Sequence, residues 1–200
     1  LDSIAYLKYP VKADSLIQAT RRQSVLKSGD NFSVLKLEEE RQRLSELFRN
    51  NGYYYFRPEF TTFRADTLQK SGYVSLQVVP QTGIPDEAQK QYYIGQTSIY
   101  LTGYNGEAPT DTLRLRNMVI HYSGDKPGIR PGVIRRNLFF QKGELYNQAK
   151  QTYSQEAIAR MGIFKYAEFR YEPKDTLSTC DSLNVNIHAM FDLPYDGELE

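Results

Sequence analysis

Few residues of this 200-residue chain have the chemistry of a catalytic or metal-binding site. The two histidines, His121 and His188, lie in predicted strands, and no serine, cysteine or acid forms a recognisable nucleophile motif near them. Cys180 is the only cysteine, which excludes an internal disulfide, a CxxC motif and a zinc cluster built on such motifs. No phosphate-binding glycine motif and no HExxH motif occurs. We therefore expect no enzymatic activity, no catalytic or cofactor-binding residues, no cofactor and no metal.

Two acidic patterns could suggest cation binding, but each has a simpler interpretation. The three glutamates at 38–40 precede Arg41 and Arg43 in a predicted helix, where they would form local ion pairs on a solvated face. The tripeptide Asp-Thr-Leu occurs three times, and Asp and Thr are common hydrogen-bonding residues of turns. Its copies lie at 66–68, 111–113 and 175–177. We interpret this tripeptide as a turn that precedes a strand.

The composition also limits the classes of partner. The chain has 25 basic and 24 acidic residues and a net charge of +1, a balance that argues against a dedicated nucleic-acid-binding protein. Its basic doublets at 21–22 and 135–136 are interpreted as solvated helix faces. With 16 Tyr, 10 Phe and no Trp, tyrosine carries much of the aromatic content, which suits half-exposed sheets and contact surfaces.

The chain begins on Leu1 inside an apparently structured stretch and stops just after a predicted strand. We therefore expect it to be a fragment of a longer protein, and a missing targeting signal carries no weight. No run of about 18 apolar residues occurs, so we predict no membrane-spanning helix.

Two stretches of the sequence, about 110 residues apart, follow the same order of motifs. Each has a glycine, a helical stretch, a second glycine followed by aromatic residues, Asp-Thr-Leu, and an alternating strand. The distance from Asp-Thr-Leu to that strand is 8 residues in both copies, whereas the glycine-to-glycine distance is 23 in one and 19 in the other. A difference of four residues is about one helical turn, so the longer helix keeps the same buried face. The pattern indicates a tandem duplication.

In the first copy the spacing predicts three strands and two helices. The helix that follows Ser33 is the clearest, because Ser33 can cap it, apolar residues recur at helical spacing, and Asn50-Asn51-Gly52 ends it. The predicted elements are a strand at 3–9, a helix at 12–26, the helix after Ser33, an aromatic strand at 53–64, a hairpin connection at 65–72 and a strand at 73–79.

The second copy predicts the same order with an insertion. Strand candidates at 92–101 and 111–121 form a hairpin at its start, and the sequence leaves open which of them corresponds to the first strand of the other copy. A short helix with Val133, Ile134 and Leu138 follows. A second helix spans about 147–161, with Ala149, Tyr153, Ala157, Ile158 and Met161 facing inward. Strands at 165–171 and 183–191 close the copy.

These elements predict an α+β fold of two tandem β-α-α-β-β modules, each a small mixed three-stranded sheet packed against two helices. The expected domains are 1–82 and 91–195, joined by a linker at 83–90, with a hairpin and loop insertion near 104–130. The uncovered face and the edges of such sheets stay accessible, and an unprotected edge is a template for another strand.

Several stretches carry a family resemblance: Glu40-Arg41-x-Arg43-Leu44, the run 47–56 that ends in Gly52-Tyr53-Tyr54-Tyr55-Phe56, and the second-copy stretches 133–136, 142–146 and 160–164. They resemble polypeptide-transport-associated (POTRA) domains. The motif residues are Gly29, Gly52, Tyr53, Tyr54, Phe56, Gly143, Tyr146, Gly162 and Phe164. POTRA domains precede the membrane barrel of BamA/TamA-like outer-membrane assembly proteins, also called the bacterial surface antigen family.

The resemblance implies a non-enzymatic role in the periplasm, tethered to the outer membrane through a carboxy-terminal β-barrel of the same parent chain. The implied partners are unfolded outer-membrane or secreted polypeptides and accessory assembly subunits, with no nucleic acid. In the family the strand after the second helix lies at a sheet edge, where an extended client can add through main-chain hydrogen bonds. In this sequence the strand maps to Phe60, Thr61, Thr62 and Phe63 in the first module and to Tyr166, Ala167, Glu168 and Phe169 in the second.

Two other classes of function stay open at this point. The aromatic run at 53–56 has a core role as one interpretation and partner contact as another, so the chain is alternatively a tyrosine-rich periplasmic or surface binding module for carbohydrate or protein. An enzyme of unfamiliar type is disfavoured because two histidines and one cysteine supply little reactive chemistry.

Overall fold

The computed structural model describes residues 1–67, 72–177 and 179–193. The chain forms two compact units, one of Leu1–Gln91 and one that begins at Tyr92. Each unit contains strand, helix, helix, strand and strand in that order, with extra strands inserted in the second. The predicted α+β class and the β-α-α-β-β plan are confirmed.

The first unit is a three-stranded sheet packed against two helices. Its elements are β1 (Ser3–Tyr6), α1 (Val11–Ala19), α2 (Val34–Arg49), β2 (Thr61–Asp66) and β3 (Ser75–Pro80), with short 3₁₀ helices at Arg21–Gln23, Pro58–Phe60 and Asp86–Gln89. The strand order is β1-β3-β2. Strand β3 is central, parallel to β1 and antiparallel to β2.

The core of the first unit follows from two periodicities. In α2, Leu44 and Phe48 lie one turn apart and are fully buried. In β3, Leu76 and Val78 alternate with Ser75 and Gln77 and are likewise buried. Ser33 caps α2 as predicted, since its hydroxyl accepts the amide of Lys36 at 3.5 Å. The prediction that 38–40 form a solvated face is wrong for Glu40, which is fully buried.

The second unit is built on the same plan but has a five-stranded sheet, in place of the predicted three strands. Its elements are β4 (Tyr93–Thr102), β5 (Asp111–Arg114), β6 (Met118–Tyr122), α3 (Pro131–Arg136), α4 (Gln148–Arg160), β7 (Phe164–Pro173) and β8 (Ser182–Phe191). The strand order is β5-β6-β4-β8-β7. Strands β5 and β6 form an antiparallel hairpin, and β6 lies parallel to β4.

The pairing also settles which strand begins the second module. Strand β4 runs parallel to β8 as β1 runs parallel to β3, so β4 is the counterpart of β1. The predicted hairpin between 92–101 and 111–121 is therefore wrong. The stretch 111–121 is itself bent into β5 and β6, because Leu115 and Met118 close a tight turn through a 2.9 Å backbone hydrogen bond.

The core of the second unit lies between the sheet and α4. Ile99 and Leu101 in β4 are buried against the alternating residues of β8, and Ala157 and Ile158 face them from α4. Ser154, which was not predicted to face inward, is fully buried. The inward assignment of Tyr153 is wrong, because its side chain is 57% exposed. Ala149 and Met161 are only half-buried.

The duplication is visible in the hydrogen bonds at the start of the second helix of each unit. Lys36 donates its amide to the Ser33 cap and its ammonium group to Asp30 at 2.6 Å. At the same positions of the second unit, Lys150 donates its amide to the Asn147 cap at 2.9 Å and its ammonium group to Glu144 at 2.7 Å. The two modules therefore share a local structure and not only a sequence pattern.

The predicted aromatic strand at 53–64 is wrong over its first half. Gly52 has a φ of +98°, and the chain then turns, with the amide of Tyr53 donating to the Phe48 carbonyl. Tyr53 and Phe56 are buried against Phe48, at ring-centroid distances of 5.5 and 4.6 Å. Ring packing onto α2 overrides the strand propensity of aromatic residues here. Strand β2 begins only at Thr61.

Other predicted boundaries change by a few residues. The first strand ends at Tyr6 rather than Tyr9, and the helix predicted over 12–26 is α1 followed by a 3₁₀ turn. The Asp-Thr-Leu at 175–177 is a turn, with Leu177 donating its amide to the Asp175 carboxylate. The copy at 111–113 lies inside β5, so the turn interpretation is wrong there. In the first copy Asp66 ends β2 and Leu68 lies outside the described residues.

Candidate functional site

The strand order defines which sheet edges can accept another strand. In the first unit β1 and β2 are the two edges, and in the second unit β5 and β7 are the edges. Each edge strand is hydrogen-bonded on one side only, so alternate residues turn their backbone N–H and C=O groups away from the sheet. Whether those groups are already occupied decides which edges are open.

The edge of β1 is covered by its own unit. The amide of Gly29 donates to the carbonyl of Leu1 at 2.8 Å, and the hydroxyl of Ser28 donates to the carbonyl of Asp2. The guanidinium group of Arg21 donates to the carbonyl of Ile4 at 2.5 Å. A partner strand would have to displace these groups, so β1 is not an open edge.

Strand β2 turns every second residue outward. Gln81 donates its amide to the carbonyl of Phe60, which fixes the even-numbered residues of β2 as those bonded to β3. Thr61, Phe63 and Ala65 therefore direct their backbone groups outward. The groups of Thr61 are occupied, because its amide donates to Pro58 and its carbonyl accepts Arg41 at 3.0 Å. The open part of this edge is Phe63 and Ala65.

Strand β7 is a longer edge of ten residues. Lys174 donates its amide to the carbonyl of Ser182, so the even-numbered residues from 166 onward are bonded to β8. Ala167, Phe169 and Tyr171 turn their backbone groups outward. Pro173 also faces outward, but it has no N–H and so limits the edge at that end. A bulge between Phe164 and Tyr166 interrupts the other end of the strand.

The first-unit residues predicted to form the edge differ in their environment. Phe60 lies in the 3₁₀ turn before β2, with its ring 5.8 Å from that of Phe56. Thr61 is buried, and Thr62 is bonded to β3 opposite Val79. Phe63 is half-buried beneath the guanidinium group of Arg41, 5.3 Å from its ring centre. Ala65, which the sequence reasoning missed, is part of the open edge. Ala65 lies two residues after Phe63, so once the register is known the alternation of the strand identifies Ala65 as the next outward residue.

The second-unit residues predicted to form the edge alternate between the two faces of the sheet. Phe169 is buried beneath the helices, with its ring 6.5 Å from that of Phe140. Tyr166 is half exposed on the face without helices. Glu168 accepts Arg170 at 2.7 Å, and this hydrogen bond holds the pKa of Glu168 below its ordinary value. The edge backbone thus lies between an apolar face and a charged face.

A row of side chains crosses all five strands on the face without helices. Tyr100 in β4 stacks between His121 and His188, at ring-centroid distances of 4.5 and 4.7 Å and interplanar angles of 7°. Thr112 and Glu168 extend the row at its two ends through the strand register. Burial, followed by the charge of Arg114, lowers the pKa of His121. The sequence reasoning placed both histidines on strands but missed their stacking on Tyr100, because that contact depends on the parallel pairings of β4.

The motif residues have structural positions. Gly29 and Gly143 occupy equivalent left-handed turns with φ of +91° and +87°, and both bond to the start of a first strand. Gly52 and Gly162 have positive φ after their helices. Tyr146 is fully buried, and its hydroxyl donates to Gln151. The remaining motif aromatics pack locally. Tyr54 contacts Tyr55 at 4.8 Å and Phe164 contacts Phe191 at 5.1 Å.

Neither a metal-binding cluster nor a membrane-spanning helix occurs among the described residues. Over 1–67, 72–177 and 179–193, no group of three or more His, Cys, Asp or Glu side chains is placed to hold a metal ion. Within the same ranges, no helix combines the length and apolar character needed to cross a bilayer.

Comparison with solved structures identifies the fold. The chain superposes on a BamA from Haemophilus ducreyi that lacks POTRA domains 1–3, with a TM-score of 0.63 and 12% sequence identity over 96% of this chain. The fold is that of POTRA domains. The chain spans 29% of the length of that BamA chain. No protein-family model matches the sequence, and no curated protein matches it.

Weaker similarity extends to two Omp85 structures. The N-terminal domain of Omp85 from Thermosynechococcus elongatus matches over 97% of this chain and 67% of its own, at 16% identity and a TM-score of 0.43. POTRA domains 1–3 of the periplasmic domain of Omp85 from Anabaena match over 96% of this chain and 66% of their own, at 14% identity and a TM-score of 0.40.

Proposed function

We propose that this POTRA pair is the periplasmic polypeptide-receiving and docking arm of an outer-membrane β-barrel protein that assembles or translocates outer-membrane proteins. The observation that carries the proposal is the pair of open edges, β2 at Phe63 and Ala65 and β7 at Ala167 and Phe169. The POTRA fold supports the proposal, because the chain shares this fold with the BamA structure on which it superposes. The carboxy-terminal barrel of the parent chain is part of the proposal.

The mechanism is strand addition. An extended client segment placed beside β2 or β7 would exchange N–H and C=O hydrogen bonds with the outward residues of that edge. Main-chain bonds are largely independent of the client's sequence, which a receptor for many polypeptides requires. The neighbouring Phe63 ring and the half-exposed Tyr166 ring would add apolar contact for alternate client side chains.

Proline substitution tests the mechanism at positions chosen from the register. Thr62→Pro is unsuitable, because Thr62 is bonded to β3 and its replacement would break the sheet itself. Ala65→Pro and Ala167→Pro each remove an outward N–H and keep the ladder to the neighbouring strand. We expect each to weaken binding of a synthetic ten-residue peptide of alternating apolar and polar residues by about three- to ten-fold, the equivalent of one hydrogen bond. Fluorescence anisotropy of the labelled peptide measures the affinity.

The matched control is Thr112→Pro, an outward position on the short polar edge β5. We expect it to leave peptide affinity unchanged. Circular dichroism of each variant establishes that it is folded. Unchanged affinity in folded Ala65→Pro and Ala167→Pro variants would sink the strand-addition mechanism.

A further inference from the structure

A groove in the second unit lies outside the sheet edges described above. It runs between the tight turn at 115–118, which joins β5 to β6, and helix α3 with the segment that follows it. Two adjoining cavities of about 380 and 420 Å³ form it, and they share Asn117, Met118 and Arg135 as lining residues. Its apolar lining includes Met118 and Phe140, which are buried, and Leu138, which is half-buried.

Three cations line this groove and no acid does, among the described residues of the two cavities. Arg116, Arg135 and Lys142 are all exposed, and the ion pairs of the described part of the chain do not include them. The stretch 114–142 contains seven basic residues and one acid, Asp125, in a chain whose net charge is only +1. Three of these seven, Arg116, Arg135 and Lys142, line the groove, so its positive charge does not follow from the net charge of the chain.

The hairpin β5–β6 supplies one wall of the groove, and the first unit has no hairpin at the corresponding place. Gly143 bonds to Ile94, the first-strand residue 49 positions before it, whereas Gly29 bonds to Leu1, only 28 positions before it. The added segment builds both the wall and its Arg116. Strands β5 and β6 cover the edge of β4 that β8 leaves free, and this role explains why they are present. It does not explain why Arg116, Arg135 and Lys142 surround a cavity without forming ion pairs to any described residue.

We propose that this groove docks an extended acidic segment of a partner protein, in which carboxylates are interspersed with apolar side chains. The carboxylates would pair with Arg116, Arg135 and Lys142, and the apolar side chains would contact Leu138 and Met118. A recessed, partly apolar groove suits a polypeptide segment better than a flat bilayer surface, which would reach only its rim. The site uses neither β2 nor β7, so its test is independent of the test of strand addition.

The test uses the full 200-residue chain and a fluorescein-labelled peptide that repeats Glu-Glu-Leu four times. The groove variant is Arg116→Gln/Arg135→Gln/Lys142→Gln. The matched control, Lys12→Gln/Arg22→Gln/Lys174→Gln, removes the same charge from exposed positions elsewhere. We expect the groove variant to lose at least about ten-fold in affinity and the control to stay within about two-fold. Binding should also weaken with added salt.

Methyl spectra of the unmodified chain provide a second measurement that needs no variant. The peptide should shift the methyl resonances of Met118 and Leu138 and leave Ala65 unchanged. Equal losses in both variants would overturn the proposal in favour of diffuse charge attraction. The proposal would also be overturned if the peptide does not bind and the groove binds a different anion instead. The anions to be tested are vesicles containing phosphatidylglycerol, a 20-nucleotide single-stranded DNA and inorganic phosphate.

Discussion

A buried ionic network is the main residue-scale difference between the two modules. Glu40 accepts both Arg43, at 2.5 and 3.0 Å, and the hydroxyl of Tyr6, and it also accepts the amide of Val25 at 2.9 Å. The position equivalent to Glu40 in the second unit, seven residues after the helix cap, is Ser154. Its hydroxyl accepts the amide of Phe139 at 2.9 Å. The side chain at this helix position therefore accepts a backbone amide in both units, through a carboxylate in the first and a hydroxyl in the second.

Removing the carboxylate tests how much the first unit depends on this network. Glu40→Ala leaves Arg43, whose side chain is only 15% exposed, without its partner, and we expect the free energy of unfolding to fall by about 3–5 kcal/mol. Urea denaturation followed by circular dichroism measures the change. The control is Glu38→Ala, which breaks an exposed pair with Arg41 and should cost less than about 1 kcal/mol. Equal effects of the two variants would contradict a buried network.

The same network predicts a dependence on pH. Burial raises the pKa of Glu40, but hydrogen bonds from Arg43, Tyr6 and the Val25 amide outweigh it and hold that pKa below the ordinary 4.5. A carboxylate whose pKa is lower in the folded state stabilises the fold at any pH above its pKa in the unfolded state. This stabilisation is lost as the pH falls through its pKa in the folded state. We expect the stability difference between the native chain and Glu40→Gln to shrink below about pH 4.5. A difference that stays constant down to about pH 3 would contradict this assignment.

At the scale of elements, regular periodicity and caps were predictive, and local aromatic packing was not. Leu44 and Phe48 with the Ser33 cap specify α2 from sequence alone, and the alternation 183, 185, 187 specifies β8. The run after Gly52 has strong strand propensity, yet its rings pack back on Phe48. Which residues of an edge face outward depends on register, so Ala65 could not be chosen over Thr62 before the pairing with β3 was known.

The glycine turn before each second helix gives a prediction at this scale. Gly143 has a φ of +87°, and a Cβ there would meet no atom within 4 Å, so Gly143→Ala should cost only backbone strain, about 1 kcal/mol. Gly132 lies within α3 with equally open space and no positive φ. Gly132→Ala should therefore stabilise the chain by about 0.5–1 kcal/mol. Thermal denaturation distinguishes the opposite signs, and a Gly143→Ala variant as stable as the native chain would contradict the left-handed turn.

At the scale of the whole molecule, the chain is two units that each complete their own sheet and core. The strand ladders β1–β3 and β4–β8 are each contained in one unit. Units of roughly 90 to 110 residues are large enough to bury a core of their own. Each unit also covers one sheet edge with its own residues. The edge of β1 is covered by the glycine turn and side chains of the first unit, and the edge of β4 is covered by the added hairpin of the second.

Independent folding of the units is the corresponding prediction. Fragments 1–91 and 92–200 should each give a dispersed amide spectrum and a single cooperative unfolding transition, because each contains a complete sheet and core. Nuclear magnetic resonance and calorimetry of the separate fragments measure these properties. A poorly dispersed spectrum for either fragment would show that its core is completed by the other unit.

Amide hydrogen exchange in the presence of the alternating peptide tests the strand-addition claim most directly. The amides of Phe63, Ala65, Ala167 and Phe169 point away from their own sheets, so they should exchange fast in the free protein and slowly once a strand is added. The account predicts new protection at these outward amides in at least one edge, with the amides of Thr62 and Glu168 unchanged. Peptide binding that leaves the amides of Phe63, Ala65, Ala167 and Phe169 exchanging freely would contradict it.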